Sequence, residues 1–324
     1  MSERWTWHGG GLRAARDHYG DGDAPWLDLS TGINPHGWPM PPLAIDWARL
    51  PDEADLAALE RAAAAHFGAD PAHVCALPGT EIGLRLMGDL LPGPACHLRP
   101  CYRTHGEMLP GSVAVDDPAS AAGSTLILAN PNNPDGRLHD RAALARLLDQ
   151  RGEGSWLLVD EAFADAHDDS GMAGHVGEGR RLLLFRSFGK FFGLAGVRLG
   201  FLVGPPSFLA QVRRRLGAWP LSAPAIAIGT AAYLDRDWIA AMRGRLRVEA
   251  AALDARLARI GLAATGACPL FRLIRVEDGH ALFDRLARRS ILTRPFADHP
   301  GWLRIGLPVD EAAAERLEEA LRDG

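Results

Sequence analysis

A succession of short apolar runs, each closed by a polar or glycine-bearing turn, limits the fold more than any other feature. The runs are Val74–Leu77, Ala95–Leu98, Gly111–Val115, Ser124–Ala129, Trp156–Val159, Leu182–Phe185 and Val197–Val203. Uninterrupted apolar stretches of this length, without alternation, are what a strand buried on both faces looks like. Helix-like stretches separate them, among them Glu81–Leu91 and His139–Gln150. Strands alternating with helices predict an α/β fold with a mainly parallel sheet covered on both faces. Beyond Pro205 the pattern changes to helices over 208–216 and 223–260, the latter broken near Asp235–Asp237. Strand-like segments at 270–276, 291–294 and 302–305 and a last helix over 310–322 follow. The expected organisation is an N-terminal arm and linker over 1–50, a large domain over 51–220 and a smaller C-terminal α/β domain over 221–324.

Open α/β sheets place ligands at the carboxyl ends of their strands, so the residues closing each run are the candidates for chemistry. Pro78-Gly79-Thr80-Glu81 follows the first run and opens a helix, where free backbone N–H groups suit an anion and Gly79 permits close approach; a plain cap by Thr80 reads the same way. Tyr102 follows the second run and either stacks on a flat ligand or covers an edge of the core. Asn130-Pro-Asn-Asn133-Pro-Asp-Gly136 is a rigid turn that either fixes an amide toward a ligand or simply punctuates the chain. Asp160-Glu-Ala-Phe163 puts two acids at the end of an apolar strand, which is costly without partners; a cationic ring nitrogen, a helix cap or a metal would each supply one.

Arg186-Ser187-Phe-Gly-Lys190 leads into a glycine-rich loop and Arg198. A lysine at a strand end is commonly a solvated loop residue. One whose pKa is lowered forms Schiff bases, the chemistry that pyridoxal phosphate uses most. Ser187 and Arg198 on either side could hold a phosphate, the guanidinium by its bidentate fork.

Charge excludes several partners. Thirty-five basic against forty acidic side chains leave a formal charge of −5, which gives no footprint for nucleic acid. The arginines at 213–215 and 243–247 lie in helix-like stretches and read as solvated faces. The four cysteines, Cys75, Cys96, Cys101 and Cys268, form no paired or metal-binding spacing, and no histidine–carboxylate cluster accompanies them. No metal is expected, and a reducing, cytoplasmic setting fits. No run is long enough to span a bilayer, and the first residues lack a signal peptide's apolar core. His8-Gly-Gly-Gly11 either lets backbone approach a ligand or marks a flexible end.

In order and context these motifs resemble the fold-type I pyridoxal-phosphate enzymes, in the aminotransferase branch that includes histidinol-phosphate aminotransferase. The resemblance covers nearly the whole chain. It implies that Lys190 bonds the cofactor covalently and later shuttles protons. Asp160 then pairs with the pyridine nitrogen, Asn133 bonds the ring's phenolate oxygen, and Tyr102 stacks on the ring. Gly79, Thr80, Ser187 and Arg198 cradle the phosphate, with Glu81 and Phe163 in the same cofactor shell. Arg304, in Trp302-Leu-Arg-Ile-Gly306, matches the arginine that grips the substrate carboxylate. Two positions depart from the pattern. Phe163 replaces a tyrosine that bonds the phenolate oxygen, which should raise the pKa of the cofactor's imine; Leu50 replaces a tyrosine that reaches the partner's cofactor phosphate across a dimer interface. A homodimer remains the expectation.

The N-terminal stretch narrows the resemblance. His8-Gly-Gly and Trp26-Leu-Asp-Leu-Ser-Thr-Gly-Ile-Asn34-Pro-His-Gly37 are similar to the threonine-phosphate decarboxylases of cobalamin biosynthesis. That likeness implies decarboxylation of L-threonine O-3-phosphate to (R)-1-amino-2-propanol O-2-phosphate and CO2. Amino transfer of the histidinol-phosphate type is the alternative. The substrate is then a phosphorylated amino acid, and His8, Asn34, Arg294 and Arg304 are the residues expected to bind it.

Overall fold

A computed structural model describes residues 3–22, 24–168 and 171–322. They form two compact units, Gly37–Asn133 with Arg137–Ala241 (the sheet unit) and Met1–His36 with Pro134–Gly136 and Met242–Gly324 (the terminal unit). The spans expected from the sequence were consecutive, whereas these units are not. Backbone pairing explains the difference at the N-terminal end. Leu27 and Asp28 pair in parallel with Ile291 and Leu292, and Gly306 N donates to Leu29 O at 2.8 Å.

The sheet unit is built on seven strands in the order Val74–Leu77, Gly200–Val203, Leu182–Ser187, Leu157–Asp160, Thr125–Ala129, Ala95–Leu98, Val113–Val115. From Leu182–Ser187 to the Val113 edge every pairing is parallel. Gly200–Val203 alone runs against both of its neighbours. The first strand therefore points the same way as the parallel ones. Leu77, Leu98, Ala129, Asp160 and Ser187 consequently all end at one edge of the sheet, and the candidate motifs follow them there.

The central strands are apolar throughout because both faces are covered: Leu182, Leu183, Leu184 and Phe185 are fully buried. Each such side chain contributes roughly 1.5–3 kcal/mol. Helix Glu53–Phe67, which packs on helix Ala223–Leu234, starts where Asp52 accepts a bond from Ala54 N and stops at Gly68 in the left-handed conformation. The arginines at 213–215 are exposed, as expected, and Arg213 also forks onto Glu60 at 2.8 and 3.0 Å and donates to Val74 O at 2.7 Å. The helix that carries it lies against strand Val74–Leu77 and brings its guanidinium within reach of a buried acid.

The terminal unit holds a four-stranded antiparallel sheet, Arg294–Pro295, Trp302–Gly306, Phe271–Arg275 and Ala264–Thr265. The single strand expected over 291–294 divides at Thr293: Ile291–Leu292 pairs with Leu27–Asp28, whereas Arg294–Pro295 pairs with the strand of Arg304. Helix Gly279–Arg288 is capped by Asp278, which accepts from His280 N and Ala281 N.

Candidate active site

At the carboxyl edge of the seven-stranded sheet, Gly79 turns the chain with φ +89° into helix Thr80–Leu90. Gly79 is the N-cap and no side chain caps the helix, so Thr80 is its first residue rather than its cap. A Cβ at position 79 would lie 2.7 Å from Arg198 Nη2, and one at Gly200 would lie 2.7 Å from Thr80 N. Only glycines let the helix start, the guanidinium and the neighbouring strand approach this closely. Arg198 itself has φ +56°, a left-handed conformation of the kind that concentrates at functional sites, and its Nη1 donates to Ala195 O at 3.3 Å. A helix N-terminus beside a guanidinium is an anion cradle. Ser187 stands close in sequence, at the end of its strand, with no side-chain cap bond.

Asp160 is the next element of the site. Its carboxylate is 7% exposed and is held from two sides, Oδ2 by His105 Nε2 at 3.0 Å and Oδ1 by Ala162 N at 3.0 Å. His105 is fully buried, and its Nδ1 has no hydrogen-bond partner among the described residues. The tautomer with its proton on Nε2 is therefore favoured, donating to Asp160. Sequence reading missed this histidine. Its one signal is position: it follows Tyr102 by three residues on helix Arg103–Glu107, and the two rings meet edge-on at 5.7 Å.

Tyr102 is fixed by its hydroxyl, which donates to Glu81 Oε2 at 3.0 Å. Glu81 also accepts from Thr104 Oγ1 at 2.9 Å and Arg85 Nε at 3.0 Å. Burial, with the Glu81 charge behind it, pushes the Tyr102 phenol up to about 12, so it stays a neutral ring. Glu81 thus acts on the site through the orientation of Tyr102. The turn that carries Asn133 is anchored nearby, Asn132 Nδ2 to Pro100 O at 2.8 Å and Asn130 Oδ1 to His139 N at 2.8 Å.

Lys190 lies in the one-turn helix Phe188–Phe191, half-buried, with Nζ 5.7 Å from the centre of the buried Phe163 ring. The sheet unit thus supplies an amine, a buried carboxylate, a fixed aromatic ring, an amide-bearing turn and a helix start beside a guanidinium. This donor set fits the pyridoxal phosphate expected from the sequence. Among the described residues no group of three His, Cys, Asp or Glu could hold a metal ion.

The remaining candidates belong to the terminal unit. Arg304 is 6% exposed, lies over the Phe271 ring at 5.0 Å and donates to Ser30 O at 2.9 Å. Arg294 is its cross-strand partner. Burial first, and the Arg294 charge second, push the Arg304 guanidinium down to about 9. Arg294 donates to Trp5 O at 2.8 Å and Trp7 O at 2.9 Å, which ties down the segment just ahead of His8. That segment is packed rather than loose: Gly10 N donates to Ser30 Oγ at 2.7 Å, and a Cβ on Gly9 would lie 2.3 Å from Ser30 O. His8 is exposed beside Trp7, while Asn34 is buried and accepts a bond from His36 N at 2.9 Å.

Known proteins share this architecture. The model of the family described as aminotransferase class I and II matches residues 114–321. The chain is 39% identical to a threonine-phosphate decarboxylase from Sinorhizobium sp., covering 97% of each chain. It is 40% identical to one from Pseudomonas aeruginosa, covering 97% of this chain and 96% of that one. Among solved structures, histidinol-phosphate aminotransferase from Sinorhizobium meliloti in complex with pyridoxal-5'-phosphate superposes with a TM-score of 0.83 at 22% identity, over 97% of this chain and 94% of that one. At that identity the superposition shows a shared fold. The matched family model and the near full-length relatives together establish that the chain belongs to the class I and II aminotransferase family.

Proposed function

We propose that the protein is a pyridoxal-phosphate-dependent decarboxylase that converts L-threonine O-3-phosphate to (R)-1-amino-2-propanol O-2-phosphate and CO2 in cobalamin biosynthesis. The observation that carries this reading is identity of 39% and 40%, over 97% of the chain, to two threonine-phosphate decarboxylases. The two adjacent arginines of the terminal unit suit a doubly anionic substrate and add support.

In the net reaction the bond from Cα to the carboxylate carbon breaks, CO2 leaves, and a proton takes its place at Cα. Bound pyridoxal phosphate supplies an electron-withdrawing ring that stabilises the negative charge left on Cα. Lys190 would hold the cofactor covalently in the resting protein, and its amine, once free, would deliver the proton to Cα. Asp160, oriented by His105 and Ala162 N, would stabilise a positive charge on the ring nitrogen. Asn133 would bond the ring's phenolate oxygen, Tyr102 would pack on the ring, and Gly79, Thr80, Ser187 and Arg198 would hold the cofactor phosphate. Phe163 offers no hydroxyl in that shell. Arg304 and Arg294 bind the substrate's anionic groups, with His8 and Asn34 contributing from the segments those arginines hold. Decarboxylation requires the carboxylate to be free to depart. Two guanidiniums on the phosphate therefore favour it, whereas a grip on the carboxylate alone favours amino transfer.

We also infer a homodimer working in the cytoplasm. In the sheet unit Trp47, Leu50 and Trp219 are 78%, 64% and 57% exposed, large apolar side chains that contact with a second copy would cover. No described helix is long and apolar enough to cross a membrane.

Incubating the purified protein and cofactor with threonine phosphate, and following products by mass, tests the reaction. Release of CO2 with aminopropanol phosphate is expected. Transfer of the amino group to 2-oxoglutarate without CO2 would reject the proposal in favour of an aminotransferase.

A further inference from the structure

Behind the candidate site, in the sheet unit, lies a cluster of charges that the reaction does not use. Arg186 is 4% exposed, and Glu161 and Asp165 are each 1% exposed. Arg186 Nη1 donates to Glu161 Oε2 at 2.9 Å, and Nη2 donates to Asp165 Oδ1. His66 Nε2 bonds the same Asp165 oxygen at 3.1 Å, and Met172 N donates to Glu161 Oε1 at 2.7 Å. The Arg186 guanidinium lies over the Phe67 ring at 4.6 Å, and a Cβ at Gly171 would come within 3.0 Å of its Nη1. One planar cation is thus gripped at both arms and on one face.

The position of this cluster matters more than its charge. Glu161 is the residue after Asp160, and Arg186 is the residue before Ser187 and four before Lys190. The two strands pair in parallel, Asp160 with Phe185, and Glu161 N donates to Phe185 O at 2.8 Å. Alternation along each strand sends Asp160 to one face and Glu161 to the other. An ion pair across the two strand ends therefore ties the residue after Asp160 to the residue before the turn that carries Lys190.

Stability is a poor account of such a cluster. Burying three charged groups costs about as much as their attraction returns, and well-packed apolar side chains serve a core equally well. What a forked guanidinium supplies, and an apolar cluster does not, is a fixed distance and angle between two strands.

We propose that the Arg186–Glu161–Asp165–His66 cluster is a positioning device that fixes Asp160 and Lys190 relative to each other for cofactor binding. This rests on the pyridoxal-phosphate reading above. It concerns residues that touch neither cofactor nor substrate.

The test uses cofactor-free protein of the wild type and of Arg186→Lys, Asp165→Asn and His66→Gln. Glu318→Gln serves as comparator, because Glu318 is a buried carboxylate bonded at 2.9 Å to Arg256 and Arg259 in the terminal unit. Pyridoxal phosphate is titrated in and its visible absorbance followed, first for the dissociation constant and then for the pH at which the band changes. The urea midpoint of each cofactor-free protein is measured separately. Arg186→Lys keeps the charge but loses the fork. It is expected to weaken cofactor binding roughly tenfold, the scale on which outer-shell orienting groups act, and to move the pH of the band change. Glu318→Gln is expected to lower the urea midpoint and move neither cofactor readout. The proposal is overturned if Arg186→Lys and Asp165→Asn bind within twofold of the wild type with an unmoved band pH, whatever their stability. Should Arg186→Lys not fold, His66→Gln at the outer end of the cluster decides by the same twofold margin. A wild-type protein that took up no pyridoxal phosphate would instead reject the cofactor reading, and that outcome is read before any variant is compared.

Discussion

Arg186 and Arg304 are buried to nearly the same degree, 4% and 6% exposed, yet their surroundings push them in opposite directions. Burial alone would lower both. Around Arg186 the charges of Asp165 and Glu161 outweigh it and hold the guanidinium above its ordinary value. Around Arg304 the nearest strong influence is another cation, Arg294, and its value falls to about 9. The first arginine is balanced by acids the chain itself supplies. Like charges directly opposed across two strands are unfavourable, so the second pair costs the fold stability that a bound anion would restore. Arg186 is held by acids of the sheet unit, whereas Arg304 faces Arg294 across its strand pair, a repulsion that a bound anion would ease.

That contrast can be broken most forcefully at Arg186. Arg186→Met leaves Glu161 and Asp165 buried without their cation and should destabilise the protein by about 3–5 kcal/mol, measured by urea unfolding. A loss below about 1 kcal/mol would mean that the cluster is wetter and looser than the structure indicates. Arg304→Gln should behave in the opposite way. The unfolding free energy should hold within about 0.5 kcal/mol or rise, because a disfavoured charge is gone. Meanwhile kcat/KM for threonine phosphate should drop by roughly 30- to 1000-fold, or about 2–4 kcal/mol. A smaller effect sharpens the distinction without any chemistry. With the cofactor site filled, excess inorganic phosphate should stabilise the wild type by about 1–3 kcal/mol, and Arg304→Gln by much less. Equal stabilisation of both by thermal unfolding would show that phosphate binds elsewhere.

Much of this was legible in the chain because the parallel sheet writes itself plainly. Apolar runs such as Leu182–Phe185, short and bounded by turn residues, read as strands covered on both faces, and the polar residues that close them then sit at strand ends. Lys190, Asp160, Tyr102 and the turn of Asn133 are expected at or just after strand ends in that way, and they lie there. His105 could not be found so, because a histidine on a five-residue helix carries no mark of the carboxylate it bonds across fifty-five positions. The bond from Tyr102 to Glu81 is equally non-local. Thr80 looks like a helix cap in sequence. It gives way to Gly79 because the backbone there must pass beneath Arg198, a constraint set by a loop more than a hundred residues on. The break at Thr293 has the same origin: Ile291 and Arg294 answer to partners in different sheets, and nothing local separates them.

The two acids on Arg186 offer the finest test, because the same cation leaves them on opposite sides of the ordinary carboxylate range. Burial acts upward on both. It prevails at Glu161, which is raised, but at Asp165 the charges of Arg186 and His66 overcome it and hold the carboxyl well below its usual value. A lowered acid contributes stability that is present above its unfolded pKa, about 3.9, and lost as pH falls below it. A raised acid does the reverse: its contribution is complete below about 4.3 and is lost as pH climbs through the folded value. As pH falls toward about 4.3 the wild type should therefore gain a little stability from Glu161, before Asp165 begins to take it away below about 3.9. Glu161→Gln keeps one acceptor oxygen, for Met172 N or for Arg186 Nη1, and turns an N–H2 toward the other donor; its urea midpoint should start lower, but because it cannot titrate it should also lose that gain and leave the later fall intact. Asp165→Asn should keep the gain and flatten the fall below about pH 4. If both variants instead track the wild type at every pH, the opposed shifts have no thermodynamic weight, and the fixed geometry of the fork is all that Arg186 contributes.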